Sequence, residues 1–160
     1  MLRRVNAPSR FVFAGLLSLL AAEPASATGG FGCEVDDANV RFTLNAMTTR
    51  GMGFPIQRVD GDIEIRSSGL SDDLRVTRFE DWSLPQYWAE DNELRLFAYR
   101  ERMDTGPFGS VKLIVRTRFE TEDAAELTGR YDLEIVDMRM GGGGADMPIR
   151  LEGPVTCMLE

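Results

Sequence analysis

The chain has 160 residues, and its 26 acidic residues outnumber its 18 basic ones, which gives a net charge of −8 at pH 7. This balance excludes a general affinity for nucleic acid or for an anionic membrane surface, because both select for positive charge. The chain has no histidine, which removes the Ser–His and Cys–His pairs of nucleophilic catalysis and any mixed Cys/His zinc site. We therefore expect a protein that is not an enzyme, with no catalytic residues and no cofactor.

The first 27 residues contain the three parts of a secretory signal peptide. Three arginines precede an apolar run at residues 11–22, and the segment ends in Ala25-Ser26-Ala27. A membrane-spanning helix needs about 20 apolar residues, and the run at residues 11–22 is shorter than that. We therefore predict cleavage after Ala27, with an uncleaved anchor as the alternative. The sequence predicts one domain over residues 28–160, periplasmic or secreted, with no membrane insertion after cleavage.

The two cysteines, Cys33 and Cys157, lie near opposite ends of the predicted domain. Disulfides persist in the compartments that receive exported proteins, so we predict a Cys33–Cys157 bond that closes nearly the whole domain. Alternation along the last strand puts Cys157 on its inward face, as an inter-sheet disulfide requires. The alternatives are two separate buried thiols or a metal pair, although two distant thiolates make a poor zinc site. No metal is expected.

A period of two in the apolar residues dominates the predicted domain and indicates β-strands. It is strong at 39–46, 110–119, 127–137 and 148–159, and weaker at 74–79 and at 56–65, where Asp60-Gly61 suggests a bulge. The segment 93–102 has apolar residues on both faces, which is typical of a central strand. The residues expected to face inward on the four strong strands are Val40, Phe42, Leu44, Ala46, Val111, Leu113, Val115, Thr117, Phe119, Leu127, Tyr131, Leu133, Ile135, Ile149, Leu151, Val155, Cys157 and Leu159.

Turns rich in glycine and proline separate these segments at intervals of about ten residues. Many short strands with this spacing predict an all-β fold, an antiparallel β-sandwich of about seven or eight strands. A small closed β-barrel is the alternative, since half-polar strands fit either fold, in which each sheet has one side facing water. The last two strands are expected to form a hairpin across residues 141–146.

The segment 82–93 is the most unusual local feature, because it holds both tryptophans, Trp82 and Trp88, with Tyr87 beside the second. Glu90 and Asp91 place carboxylates next to these rings. Aromatic faces stack on sugar rings or hydrophobic anchors, and carboxylates accept hydrogen bonds from hydroxyl groups. We therefore predict these five residues as the ligand-binding set, in a loop with one helical turn. The alternative is that the loop folds back and its rings cap the core.

Two further patterns allow a metal interpretation. Met138, Met140 and Met147 surround one hairpin, and thioether sulfur suits Cu(I), although methionine also fills gaps in cores. The acidic residues at 90–93 resemble weak extracellular calcium sites, or simply a solvated loop.

Three phenylalanines lie between glycines or prolines and are expected at loop tips. Such rings form a docking face when they are exposed; otherwise they plug the open ends of the sandwich. They are Phe31, Phe54 and Phe108.

Together these features predict an exported, non-enzymatic binding or accessory module that recognises a glycan or a protein partner in the cell envelope through the 82–93 loop. One alternative is a β-barrel that carries a small apolar ligand. The other is a structural subunit of an envelope complex.

Overall fold

The structure is a computed structural model that describes residues 28–49, 55–80, 83, 86–121, 124–138 and 148–159. The predicted signal peptide, the 141–146 turn and four of the residues discussed above lie outside the described residues; these four are Phe54, Trp82, Met140 and Met147. Within the described ranges, no helix has the length and apolar character needed to cross a membrane.

The described residues contain nine strands, and the all-β prediction is confirmed. They are β1 (Thr28–Asp36), β2 (Val40–Thr49), β3 (Ile56–Ile65), β4 (Val76–Phe79), β5 (Gln86–Glu90), β6 (Glu93–Glu101), β7 (Gly109–Phe119), β8 (Glu126–Asp137) and β9 (Ile149–Leu159). A single helical turn, α1 (Asp72–Arg75), precedes β4.

All nine strands belong to one antiparallel sheet in the order β4-β3-β2-β1-β9-β8-β7-β6-β5. The order contains two meanders, β1 to β4 and β5 to β9, and consecutive strands pair within each of them. β4 and β5, where one meander follows the other along the chain, lie at opposite ends of the strand order. The pairing of β1 with β9 joins the two meanders in the middle of the sheet. The expected hairpin pairing of the last two strands is confirmed. The finer choice of a sandwich over a barrel stays a prediction.

The sheet curls until β4 approaches β6. Across this gap, Arg100 Nη1 donates a hydrogen bond to the carbonyl oxygen of Arg78 at 2.9 Å. The curl gives the sheet an inner face, which packs on itself, and an outer face.

A polar cluster, which we call the Arg102 clasp (Ser71, Asp73, Arg102 and Asp137), holds the two meanders together. Arg102 donates from Nε to Asp73 Oδ2 at 2.6 Å and from Nη2 to Asp137 Oδ1 at 3.1 Å. The backbone N–H of Ser71 donates to Asp137 Oδ2 at 2.9 Å. The side chains of Arg102 and Asp137 are both 8% exposed. The clasp therefore links the segment before α1 to the ends of β6 and β8.

The predicted inward faces are confirmed, since all of the expected residues are buried or packed against the core. Tyr131 lies at the centre, where its ring meets that of Phe42 edge to face with centroids 5.5 Å apart. Its hydroxyl donates to Asp37 Oδ2 at 2.5 Å, and Asp37 also accepts from the backbone N–H of Asn39 and Val40 in the turn between β1 and β2. Burial, followed by the hydrogen bond to Asp37, raises the pKa of Tyr131.

The predicted disulfide is confirmed, because Cys33 and Cys157 are bonded. They lie directly opposite each other in the pairing of β1 with β9 and are 2% and 0% exposed. The expected inter-sheet bond is instead a bond between neighbouring strands, since β1 and β9 share the one sheet.

Several local assignments differ from the sequence predictions. The segment 74–79 starts in α1 and becomes a strand only at Val76. Residues Gln86–Glu90, expected in a loop, form strand β5. The irregularity in β3 lies before the predicted Asp60-Gly61, at Arg58, whose φ is 49°, and the register with β2 shifts there.

The phenylalanines at the predicted loop tips have different environments. Phe31 is a core residue of β1 at 2% exposed, whereas Phe108 is 42% exposed.

Gly153 in β9 leaves room for the Tyr131 ring. A Cβ at this position would lie 2.7 Å from Tyr131 Cε1 and 2.9 Å from Asp37 Oδ2. We expect Gly153→Ala to lower the free energy of unfolding by about 1–3 kcal/mol, because overpacking forces a filled core to shift. Urea titration would measure the change. Gly32→Ala in β1 is the matched control, since its closest neighbour is the Asn45 side chain at 3.2 Å; equal losses in both variants would contradict this explanation.

Candidate functional site

Residues 86–93 of the predicted ligand-binding segment form an edge strand, a tight turn and the first residue of β6. Among the strands that the structure describes, β5 pairs with β6 alone, and residues Asp91 and Asn92 connect the two strands. Asp91 has a φ of 52°, in the left-handed region that aspartate tolerates better than most residues. The backbone N–H of Phe119 at the end of β7 donates to the Asn92 carbonyl oxygen at 2.9 Å. The turn, with the exposed Asp91, is thus attached to the sheet.

Alternation along β5 sends its two aromatic side chains to opposite faces. Tyr87 lies opposite Leu96 and packs against the core from the inner face. Trp88 lies opposite Arg95 on the outer face and is half-buried. Glu90 is exposed and follows Trp88 on the same side. The structure therefore brings Trp88 and Glu90 to one surface and places Tyr87 behind it, while Trp82 lies outside the described residues.

Arg95 holds the Trp88 ring from the neighbouring strand. Its guanidinium carbon lies 5.6 Å from the ring centroid, a cation–π contact worth about 0.5–1 kcal/mol at an exposed site. Arg95 Nε also donates to Glu93 Oε2 at 3.0 Å, and Arg118 donates to the other oxygen of the same carboxylate. Hydrogen bonds from Arg95 and then Arg118 hold the pKa of Glu93 below its usual value. Glu93 therefore stays ionised, and it helps to orient the guanidinium beside the ring.

Two more aromatic side chains extend this surface along β6. The rings of Phe97 and Tyr99 stack with centroids 6.4 Å apart and planes 28° apart, and both are half-buried. The Tyr99 hydroxyl donates to Glu101 Oε2 at 3.1 Å. Burial and this carboxylate raise the pKa of Tyr99, so the phenol stays protonated. We call Trp88, Phe97 and Tyr99 the aromatic patch.

Phe97 and Tyr99 were not among the predicted site residues, although the sequence contained a signal for them. Apolar residues on both faces of 93–102 predicted a central strand, and β6 does have a neighbour on each side. Only its inner face is fully buried, however, at Leu94, Leu96 and Ala98. The second apolar row forms a surface patch, and a sequence pattern alone does not separate that case from a strand covered on both sides.

The metal interpretations gain no support in the described ranges, where no three acidic or cysteine side chains are grouped to hold an ion. Met138 is 55% exposed, and its two predicted partners lie outside those ranges, so the copper hypothesis stays a prediction.

Comparison with known proteins identifies no relative of this chain. A scan against protein-family models, a search of curated proteins and a search of solved structures each returned no match. The chemistry of the aromatic patch and its neighbours is therefore the guide to function.

Proposed function

We propose that this chain is an exported, non-enzymatic binding module that recognises a glycan of the cell envelope through the outer face of β5 and β6. The observation that carries the proposal is the Trp88 ring, which lies on the outer face of an edge strand and is held by Arg95. The predicted signal peptide and the disulfide support a periplasmic or secreted location, because disulfides persist there.

Trp88 is suited to stacking because its orientation is set before any ligand arrives. Arg95 contacts the ring, and Glu93 in turn anchors Arg95. A preorganised side chain loses less conformational freedom on binding than a mobile one, which favours affinity. Arg95 lies over the half-buried ring, so a sugar would stack on the part of the ring that stays exposed. The neighbouring guanidinium and carboxylate groups would then hydrogen-bond to its hydroxyl groups.

The surroundings of the aromatic patch favour a sugar over a protein partner. Charged residues are depleted at the centre of protein–protein interfaces, yet Glu93, Arg95 and Glu101 lie on the same strand face as the patch. A sugar presents an apolar ring face bordered by hydroxyl groups, so it uses rings and charged hydrogen-bonding groups together. The patch has this mixed character.

The inner face of the sheet gives the carrier alternative no specific support. Large side chains occupy the inner faces of the described strands, and Phe42, Phe79 and Tyr131 are at most 1% exposed. The carrier and the envelope subunit both stay predictions.

We expect Trp88→Ala to weaken glycan binding about tenfold or more, because loss of an aromatic anchor costs on the order of 2 kcal/mol. The protein purified from its exported compartment would be screened on a glycan array, and its affinity for the best ligand would be measured by calorimetry. The free energy of unfolding should change by less than about 1 kcal/mol, since the ring lies on the surface.

Tyr87→Ala is the matched control, because the adjacent ring packs against the core. It should destabilise the fold by about 2 kcal/mol or more and leave the affinity of the folded fraction unchanged. The proposal fails if no glycan binds the wild-type protein, or if Trp88→Ala binds as well as wild type.

A further inference from the structure

Three arginines lie side by side on the outer face of the sheet. Arg95 of β6 is directly opposite Arg116 of β7, and Arg116 is directly opposite Arg130 of β8. Adjacent strands are about 4.8 Å apart, and like charges directly opposite each other are destabilising. We call this arrangement the arginine row. Carboxylates beside it offset the repulsion, and the grouping of three guanidinium groups on one surface suggests a role in binding.

Each arginine of the row has a carboxylate partner, but one of these carboxylates also pairs with a fourth arginine, so the site keeps an excess of positive charge. Glu93 is shared between Arg95 and Arg118, while Arg116 pairs with Asp132. A shallow depression of about 440 Å³ is lined by four arginines, Arg95, Arg116, Arg118 and Arg130, and by two carboxylates, Glu93 and Asp132. Glu152 lies beside it and accepts from Arg130 at 3.0 Å. The lining of the depression thus carries more positive than negative charge, although the whole chain has a net charge of −8.

The guanidinium groups are accessible. The side chains of Arg116 and Arg130 are 49% and 62% exposed, and that of Arg118 is 70% exposed. A ligand could therefore approach them without unfolding any strand.

Positive charge is concentrated on this part of the outer face. On β3, at the other side of the sheet, the exposed residues include Asp60, Asp62 and Glu64. The difference in charge between these two parts of the outer face would favour the arginine row over β3 as the position of an anionic ligand.

We propose that the arginine row binds an anionic glycan, carboxylated or sulfated, that runs across the strands from Trp88. This inference rests on the proposed function and names the ligand class of the same surface. Trp88 lies opposite Arg95, at the β5 end of the row. One sugar stacks on the ring, and the acidic groups of the following sugars receive hydrogen bonds from the guanidinium forks, which match carboxylate and sulfate geometry.

The length of the row suits a short stretch of oligosaccharide. From Trp88 on β5 to Arg130 on β8 the ring and the row together cross three strand spacings, or roughly 14 Å, which accommodates a few sugar rings. Duplex nucleic acid needs a broader basic surface, because its affinity comes from many phosphate contacts. An acidic peptide could use the guanidinium groups but has no need of the aromatic ring.

The test compares an oligogalacturonate and a heparin-derived oligosaccharide with a neutral oligogalactan of matched length, by calorimetry at about 0.05 M and about 0.3 M salt. We expect the acidic probes to bind more tightly than the neutral one and to weaken with salt. Arg116→Gln and Arg130→Gln should each weaken acidic-probe binding about fivefold, with little change for the neutral probe. The control is Arg41→Gln, on the outer face of β2, where the arginine side chain is 60% exposed. It should leave the affinities for the acidic and the neutral probes unchanged.

The outcomes separate the two proposals. Equal affinity for acidic and neutral probes, or equal effects of Arg116→Gln and Arg41→Gln, would overturn the anionic class. The proposed function would survive that result if Trp88→Ala still abolished binding of the neutral probe. Failure of all three oligosaccharides and of the glycan array to give binding would overturn both.

Discussion

Reduction of the Cys33–Cys157 disulfide should lower the free energy of unfolding by about 5 kcal/mol, because the bond closes a loop with a sequence separation of 124. The position of the bond in the sheet increases its contribution to stability. The ladder between β1 and β9 runs only from Phe31 to Glu34 on the β1 side, whereas β7 and β8 pair along nearly their whole length. The disulfide therefore reinforces the short seam between the two meanders.

Urea unfolding followed by tryptophan fluorescence, with and without reductant, measures this effect. The double variant Cys33→Ala/Cys157→Ala is the control, and its midpoint should match that of the reduced wild type and not respond to reductant. If reductant left the wild-type midpoint unchanged, the bond would not contribute to stability.

Arg102→Ala should cost about 3–5 kcal/mol of folding free energy, because it leaves a buried carboxylate without its cation. The charge left behind is that of Asp137, whose side chain is 8% exposed. The variant also loses the bond from Arg102 Nη1 to the carbonyl oxygen of Pro107, at 2.6 Å. Thermal or urea unfolding measures the loss.

Arg75→Ala is the matched control for this prediction. Arg75 pairs with Asp72 at the surface, where the side chains are 43% and 90% exposed, and exposed pairs contribute about 0–1 kcal/mol. Similar losses in both variants would show that the clasp is an ordinary surface ion pair.

The clasp also makes stability depend on pH in a defined direction. Burial opposes ionisation of Asp137, but hydrogen bonds from Ser71 and Arg102 more than offset it and hold its pKa below the usual value. The hydrogen bond from Arg102 is the main reason why the pKa of Asp73 is also lowered.

A carboxyl group with a lowered folded-state pKa stabilises the fold above its unfolded pKa, about 3.9, and this contribution is lost as pH falls through the folded value. Melting temperature should therefore drop below about pH 4, with a shallower drop in Arg102→Ala. An equal drop in both proteins would assign the acid sensitivity to other groups, such as Asp37.

Strands could be predicted from the sequence wherever one face is buried and the other is exposed to water, as in residues 40–46. β1 was not predicted as a strand, because TGGFGCEVD is rich in glycine and its extended form depends on pairing with strands on both sides. β5 was missed for a similar reason, since the cluster of aromatic and acidic residues suggested a loop. Pairing with β6 overrides that local preference.

The candidate site was predictable in part. The sequence singled out Trp88 and Glu90, which share a surface. It did not identify Arg95, Phe97 or the arginine row, because these groups come together only through the register of adjacent strands. Register depends on the turns and the curl of the sheet, which sequence alternation alone does not specify.

The seam between β1 and β9 also determines the order in which the fold can be completed. Hairpins within each meander join neighbouring segments, and isolated hairpins form within microseconds. β1 and β9 come from opposite ends of the described chain, and such distant pairing makes folding slow. Until they meet, each leaves a strand edge open to pairing with other molecules. Because Cys33 and Cys157 lie directly opposite each other in this pairing, the closure that protects these two strand edges also brings the two thiols together, and their bond then holds the edges closed.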